Sequence, residues 1–127
     1  MQATVDGVRW RLQFEHTPPE LRQEGKHRKA GTICRVEYYS KETAPAREGW
    51  VTVSNRLAWC GRKDKFTKEY GRQFALVRAL RVAPVTKPVK AQLIRAYLTS
   101  GQRPLCEDMA HRGYKSLYDC VFQEEDV

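Results

Sequence analysis

The chain has 127 residues, which suits one domain that buries roughly two-thirds of its unfolded surface without disulfides or metal. Apolar residues make up 41% of it, which argues against disorder, and no apolar run approaches the roughly eighteen residues of a membrane span. The net charge is +8 and the pI about 9.5, so we expect a single basic domain over residues 1–127 with an anionic partner.

The first half of the chain predicts antiparallel strands. Apolar and polar residues alternate over residues 8–16, which is the period of a half-buried strand, and they alternate again over 32–40. Residues 49–60 predict a third strand or a tight hairpin, with a bulge or turn where Ser54-Asn55 breaks the pattern. The polar residues 20–31 between the first two strands are predicted to form a loop. Three successive antiparallel strands form a meander, one face of which must be covered.

The second half predicts the helices that cover this sheet. A helix is expected to begin near Thr67 and to end before Pro84, with apolar residues at helical spacing. A second helix is expected between Thr86 and Gly101, and a third over residues 106–122, weakened at Gly113. The predicted fold class is therefore α+β, a three-stranded antiparallel β-meander covered by two to three C-terminal helices.

Positive charge is concentrated in the middle of the chain. Residues 56–95 contain eleven Lys or Arg against two acids, whereas residues 104–127 contain two against six and end in an acidic tail, 123–127. Cations at the start of a helix oppose its dipole, so their presence there indicates a function rather than stability. The candidate residues for binding nucleic acid or a partner are Arg62, Lys63, Lys65, Lys68, Arg72, Arg78 and Arg81.

The sequence provides little for catalysis or metal binding. No two of its four cysteines have the C-x-x-C spacing that is typical of zinc sites. The sequence also has no phosphate loop, dinucleotide fingerprint or nucleophile elbow. We therefore predict a protein that is not an enzyme, with no catalytic residues, no metal, no cofactor and no small-molecule substrate. The N-terminus lacks the apolar core of a signal peptide, so we expect a cytoplasmic protein with reduced thiols and no membrane partner.

One segment of about twenty-five residues resembles a signature of small phage and prophage accessory proteins. Within this segment the pattern D-x-F-x-K-x-x-G-R-x-x-A-x-x-R-A-L occupies the 17 residues from Asp64 to Leu80. The resemblance implies a bacteriophage origin, and such proteins often bind and block host enzymes, as anti-CRISPR proteins do. The expected location is then the cytoplasm of the host cell.

The predicted architecture also resembles part of a double-stranded-RNA-binding domain. In that domain three strands precede a lysine-rich helix start, and the resemblance implies that Lys65, Lys68 and Arg72 contact phosphates across the groove. The present chain differs because a strand, not a helix, precedes its sheet, and because the tight Lys-Lys-x-Ala-Lys run is absent.

These observations lead to two functional hypotheses. The first is a non-catalytic, phage-type protein that inhibits a host nucleic-acid enzyme complex, such as a CRISPR-effector-like nuclease, through its basic helix face. The second is direct binding of RNA or DNA through the same basic turn and helix. The sequence alone does not distinguish nucleic acid from a host nucleoprotein enzyme as the partner, and it does not predict the oligomeric state.

Overall fold

The computed structural model describes residues 1–17, 20–21, 27–28, 31–59 and 68–123. Within these ranges the chain forms an α+β fold of six strands and four α-helices. The strands are β1 (Gln2–Val5), β2 (Val8–Thr17), β3 (Glu20–Leu21), β4 (His27–Arg28), β5 (Gly31–Tyr39) and β6 (Trp50–Trp59). The helices are α1 (Lys68–Val82), α2 (Lys87–Thr99), α3 (Glu107–His111) and α4 (Leu117–Phe122).

In the described part of the chain the main sheet is antiparallel and has four strands, in the order β1-β2-β5-β6. The α+β class is thus confirmed, but the prediction of three strands is wrong because it omits β1. Strands β1 and β2 form a hairpin through Asp6 and Gly7, whose φ angles are +51° and +78°. Positive φ at both central residues suits the right-handed twist of the strands, and an Asp-Gly pair is the usual sequence for such a turn.

The predicted loop at residues 20–31 contains a second, two-stranded sheet. Strands β3 and β4 pair antiparallel, with Glu20 opposite Arg28 and Leu21 opposite His27. Each strand has only two residues, too few for an alternating pattern to be recognisable in the sequence.

Strand β6 is continuous, so the alternative of a tight hairpin at residues 49–60 is wrong. The prediction of a bulge is confirmed by the register of the strand. The pairing with β5 shifts between Val36, which faces Ser54, and Glu37, which faces Thr52, so Val53 is the extra residue. The bulge therefore reverses the alternation along the strand. Thr52 lies on the same face as Glu37, whereas Ser54 faces the helices and donates a hydrogen bond of 2.8 Å to the Ala79 carbonyl.

Helices α1 and α2 cover one face of the sheet, as predicted, with α1 against β5 and β6 and α2 against β1 and β2. Helix α1 also packs against α4, so it is enclosed on more than one side. From Gln73 to Leu80 only Arg78 is exposed. The largest fully buried apolar side chains of the core are Val36, Leu76, Leu80, Leu93, Ile94, Tyr97, Leu117 and Val121.

The third predicted helix is two short helices. Gly113 lies between α3 and α4 with a φ of +94°, a left-handed conformation that ends a helix. Ser116 then caps α4, because its hydroxyl accepts a hydrogen bond from the backbone amide of Asp119. The sequence located the weak point correctly but underestimated its effect.

Candidate anion-binding site

The structure divides the seven predicted binding residues into separate groups. Arg62, Lys63 and Lys65 lie outside the described residues, and Lys68 begins α1 with a side chain that is also outside them. The other three, Arg72, Arg78 and Arg81, are described and lie along α1. Because α1 is largely enclosed, these three do not form the single exposed basic face that the sequence suggested.

Arg72 is directed toward the protein interior. Its Nε atom is buried, as is the Tyr97 hydroxyl, and neither atom has a well-formed hydrogen-bond partner in the described structure. Burial raises the pKa of Tyr97, and the nearby Arg72 and Gln73 side chains lower it in part. Arg72 therefore contacts α2 rather than presenting its whole guanidinium to solvent.

Arg78 and Arg81 are held in place by main-chain oxygen atoms. The exposed Arg78 donates a hydrogen bond of 3.0 Å from Nη1 to the Leu57 carbonyl on β6. Arg81, which is partly buried, donates from Nε to the Cys120 carbonyl at 2.8 Å and from Nη2 to the Tyr114 hydroxyl at 3.2 Å. These bonds to neutral oxygen atoms restrict both guanidinium groups.

Both arginines line a cavity of about 140 Å³ between α1 and the segment that contains α3 and α4. Arg112, just after α3, lines it as well, and its guanidinium carbon lies 5.3 Å from the centre of the Phe74 ring. We call this cavity the arginine pocket. Its lining residues are Phe74, Val77, Arg78, Arg81, Met109, Arg112, Tyr114 and Cys120.

None of the described residues that line the arginine pocket is acidic, whereas three of them are arginines. Neither Arg78 nor Arg112 forms an ion pair within the described part of the chain. Asp119 on α4 lies close enough to Cys120 to raise the pKa of its thiol, but its carboxylate accepts a hydrogen bond from the Lys115 amide and does not line the cavity. The arrangement suits an anion that accepts hydrogen bonds from several guanidinium groups.

Cys120 does not give this pocket a nucleophile. Burial raises the pKa of its thiol to about 11, although Arg81 lowers it in part. The thiol also lies 3.4 Å from the Met109 sulfur, to which it donates a weak hydrogen bond. A cysteine attacks as the thiolate, so at neutral pH this residue is an inert wall of the pocket.

A second group of arginines lies on the sheet face opposite α1 and α2. It contains Arg9, Arg11 and Arg47, and we call it the sheet-face cluster. At its centre is Glu37, whose side chain is only 1% exposed. Its carboxylate accepts hydrogen bonds from Arg11 Nε at 2.9 Å, Arg47 Nη2 at 3.0 Å and Thr52 Oγ1 at 2.7 Å. Burial alone would raise the pKa of Glu37, but these hydrogen bonds and the two arginine charges lower it overall.

Aromatic rings complete the sheet-face cluster. The Arg11 guanidinium carbon lies 4.1 Å from the centre of the buried Trp50 ring, and that of Arg9 lies 5.2 Å from the centre of the Tyr39 ring. These distances are typical of cation–π contacts. Gly49 allows the connection to approach, because its φ is +88° and a Cβ there would lie 2.6 Å from a Tyr39 ring carbon.

The sequence did not identify Arg112, Glu37 or the sheet-face cluster. Arg112 stands between acidic residues and a glycine, with no local concentration of bases. Glu37 occupies a polar position of an alternating strand, where a solvated side chain is the ordinary expectation. The only sequence signal for the role of Glu37 was the pair of arginines, Arg9 and Arg11, at alternate positions of the neighbouring strand β2.

In the described part of the structure no helix combines the length and apolar character needed to cross a membrane. Among the same residues, no group of three or more His, Cys, Asp or Glu is arranged to hold a metal ion. Comparison with protein-family models, curated proteins and solved structures finds no match to this chain. The resemblances to phage accessory proteins and to a double-stranded-RNA-binding domain therefore remain predictions.

Proposed function

We propose that this protein is a non-catalytic binder of nucleic acid that contacts phosphate groups through the arginine pocket. The observation that carries the proposal is the arrangement of Arg78, Arg81 and Arg112 around one cavity whose described lining residues include no carboxylate. Guanidinium groups match phosphate oxygens in geometry as well as in charge. The net charge of +8 favours the same class of partner, because it attracts a polyanion over distance.

One further feature of the sequence supports nucleic acid over a simple anion. Arg78 bonds to β6, and that strand leads into residues 60–67, where the sequence adds Arg62, Lys63 and Lys65.

The test is fluorescence anisotropy with labelled single-stranded and duplex RNA and DNA at several salt concentrations. We expect the affinity to fall steeply as salt rises, because neutralised phosphates release counterions. Absence of binding to every strand and duplex at low salt would overturn the proposal.

A pair of double variants tests the location of the site. Arg78→Gln with Arg112→Gln removes two charges at the pocket, and we expect about a tenfold weaker complex, which corresponds to about 1.4 kcal/mol. Lys41→Gln with Arg95→Gln removes the same charge from exposed positions elsewhere and serves as the matched control. Equal losses in both variants would assign the binding to overall charge and not to the pocket.

Under the phage-type hypothesis, the same arginines would contact phosphate groups within a host enzyme complex. A nucleoprotein enzyme also presents phosphates, so a host CRISPR-effector-like complex remains the proposed alternative partner. Copurification read for both RNA and protein distinguishes the two. RNA without a stoichiometric protein supports direct binding, whereas a host nuclease that coelutes and loses activity supports inhibition.

A further inference from the structure

We propose that the arginine pocket binds a phosphate monoester, the terminal phosphate of a nucleic-acid strand or of a nucleotide, in preference to the internal phosphodiesters of a strand. The inference rests on the proposed function for its class of ligand. The preference for a terminal group, however, follows from the shape and charge of the pocket and has its own test.

The shape of the site favours a group that enters a cavity over one that crosses a surface. The three arginines come from different elements: Arg78 and Arg81 from α1, and Arg112 from the segment between α3 and α4. Arg78 is fixed to β6 and Arg81 to α4, so the guanidinium groups are held on separate supports around a volume of about 140 Å³. An internal phosphodiester must lead a chain out from two of its oxygen atoms, whereas a terminal phosphate has one such connection and presents three oxygen atoms.

The charge of the site points the same way. A phosphate monoester carries a charge of about −1.5 to −2 near pH 7, and an internal phosphodiester carries about −1. Arg78 and Arg112, which form no ion pair with a described residue, together provide more positive charge than a single phosphodiester can neutralise. Arg81 and Tyr114 also bond to each other, so the phenol is oriented beside the same anion.

The apolar wall strengthens these interactions and prevents chemistry. Phe74, Val77 and Met109 reduce the access of water to one side of the cavity, which increases the strength of charged hydrogen bonds within it. Arg112 lies over the Phe74 ring, which restricts its guanidinium plane. Because the Cys120 thiol remains protonated at neutral pH, the pocket holds a phosphate without forming a covalent intermediate.

The principal experiment compares two oligonucleotides of one sequence that differ only in a 5′-phosphate or a 5′-hydroxyl. We expect the phosphorylated strand to bind at least fivefold more tightly, with a parallel pair for the 3′ end showing which terminus is preferred. Arg78→Gln with Arg112→Gln should abolish the difference, and Lys41→Gln with Arg95→Gln should retain it. Adenosine 5′-monophosphate as competitor distinguishes a nucleotide site from one that requires a strand.

The pH dependence provides a readout that a merely structural role would not produce. The second pKa of a phosphate monoester is about 6, so the preference for the phosphorylated strand should shrink between pH 7.5 and 5.5 as the dianion is protonated. A difference that is constant over this range would contradict a site for the dianion.

The outcomes separate this inference from the proposed function. Equal affinity for both oligonucleotides would overturn the terminal-phosphate inference and leave nucleic-acid binding intact. Inorganic phosphate that shifts the NMR signals of the Arg78 and Arg112 side chains, with no oligonucleotide bound, would retain the phosphate site and overturn the proposed function. The titration with inorganic phosphate uses the unmodified protein, so it does not depend on the folding of any variant.

Discussion

The arginine pocket and the sheet-face cluster gather the same residue type into opposite electrostatic settings. On the sheet, Arg11 and Arg47 share the buried carboxylate of Glu37, and Arg35 pairs with Glu15 at 3.0 Å. In the arginine pocket, the bonds to Leu57, Cys120 and Tyr114 are made to neutral oxygen atoms. The arginines of the sheet-face cluster are thus paired with carboxylates, whereas Arg78 and Arg112 of the pocket form no ion pair with a described residue.

This contrast shows why a count of basic residues does not identify a binding site. Strand β2 carries arginines at regular spacing, and by composition alone it is as good a candidate as α1. Its Arg11 is nevertheless committed to Glu37 and to the Trp50 ring. The useful quantity is the positive charge left after ion pairs are assigned, and Arg78 and Arg112 have no ion pair with a described residue.

The largest effect is expected from breaking the centre of the sheet-face cluster. Glu37→Gln removes a buried charge that two arginines and Thr52 share, so we expect the free energy of unfolding to fall by about 3 kcal/mol. Glu15→Gln is the control, because its ion pair with Arg35 is exposed and should contribute less than about 1 kcal/mol. Urea unfolding of both variants measures the difference, and equal losses would refute the structural role of the cluster.

The next effect concerns Arg81, the partly buried arginine of the pocket. Arg81→Met keeps the apolar stem but removes the bonds to the Cys120 carbonyl and the Tyr114 hydroxyl, so we expect a loss of about 1.5 kcal/mol. Thermal and urea unfolding would measure it. A variant as stable as the parent would show that α4 docks on α1 without this arginine.

Acid should weaken the sheet-face cluster selectively. The pKa of Glu37 is lower in the folded protein than in the unfolded chain, so the unfolded state binds more protons in this range. Its contribution is fully present above the ordinary glutamate value of about 4.3 and is lost as pH falls through the lowered folded pKa. Unfolding free energies measured from pH 6 to pH 2.5 should therefore fall less steeply in Glu37→Gln than in the parent. Parallel curves would contradict the assignment.

The smallest effect on stability is expected where the largest effect on binding is predicted. Arg78 and Arg112 are exposed and form no ion pair with a described residue. Because Arg78→Gln with Arg112→Gln removes only one exposed hydrogen bond and one cation–π contact, the unfolding free energy should fall by no more than about 1 kcal/mol. The measurement is urea unfolding without ligand. A loss comparable to that of Glu37→Gln would mean that the pocket arginines maintain the fold, and the contrast between the two regions would not hold.

Much of the secondary structure followed from local sequence patterns. Period-two alternation identified β2 and β5, and helical spacing with Pro84, Thr86 and Gly101 delimited α1 and α2 close to their observed ends. The missed strand β1 was also encoded locally, in the Asp6-Gly7 pair between Val5 and Val8. The division of residues 106–122 into α3 and α4 depended on the left-handed conformation of Gly113. A glycine can adopt this conformation but need not, so the sequence alone did not predict it.

The sequence by itself determined the positive charge, the element types and the candidates Arg78 and Arg81, because periodicity and composition are properties of neighbouring residues. Only the tertiary structure decided which arginines are neutralised. Arg11 and Glu37 are 26 residues apart and meet through the register of β2 on β5, while Arg81 and Cys120 are 39 residues apart and meet through the docking of α4 on α1. A guanidinium retains its full charge for a ligand only where the fold brings no carboxylate to it, and sequence spacing does not contain that information.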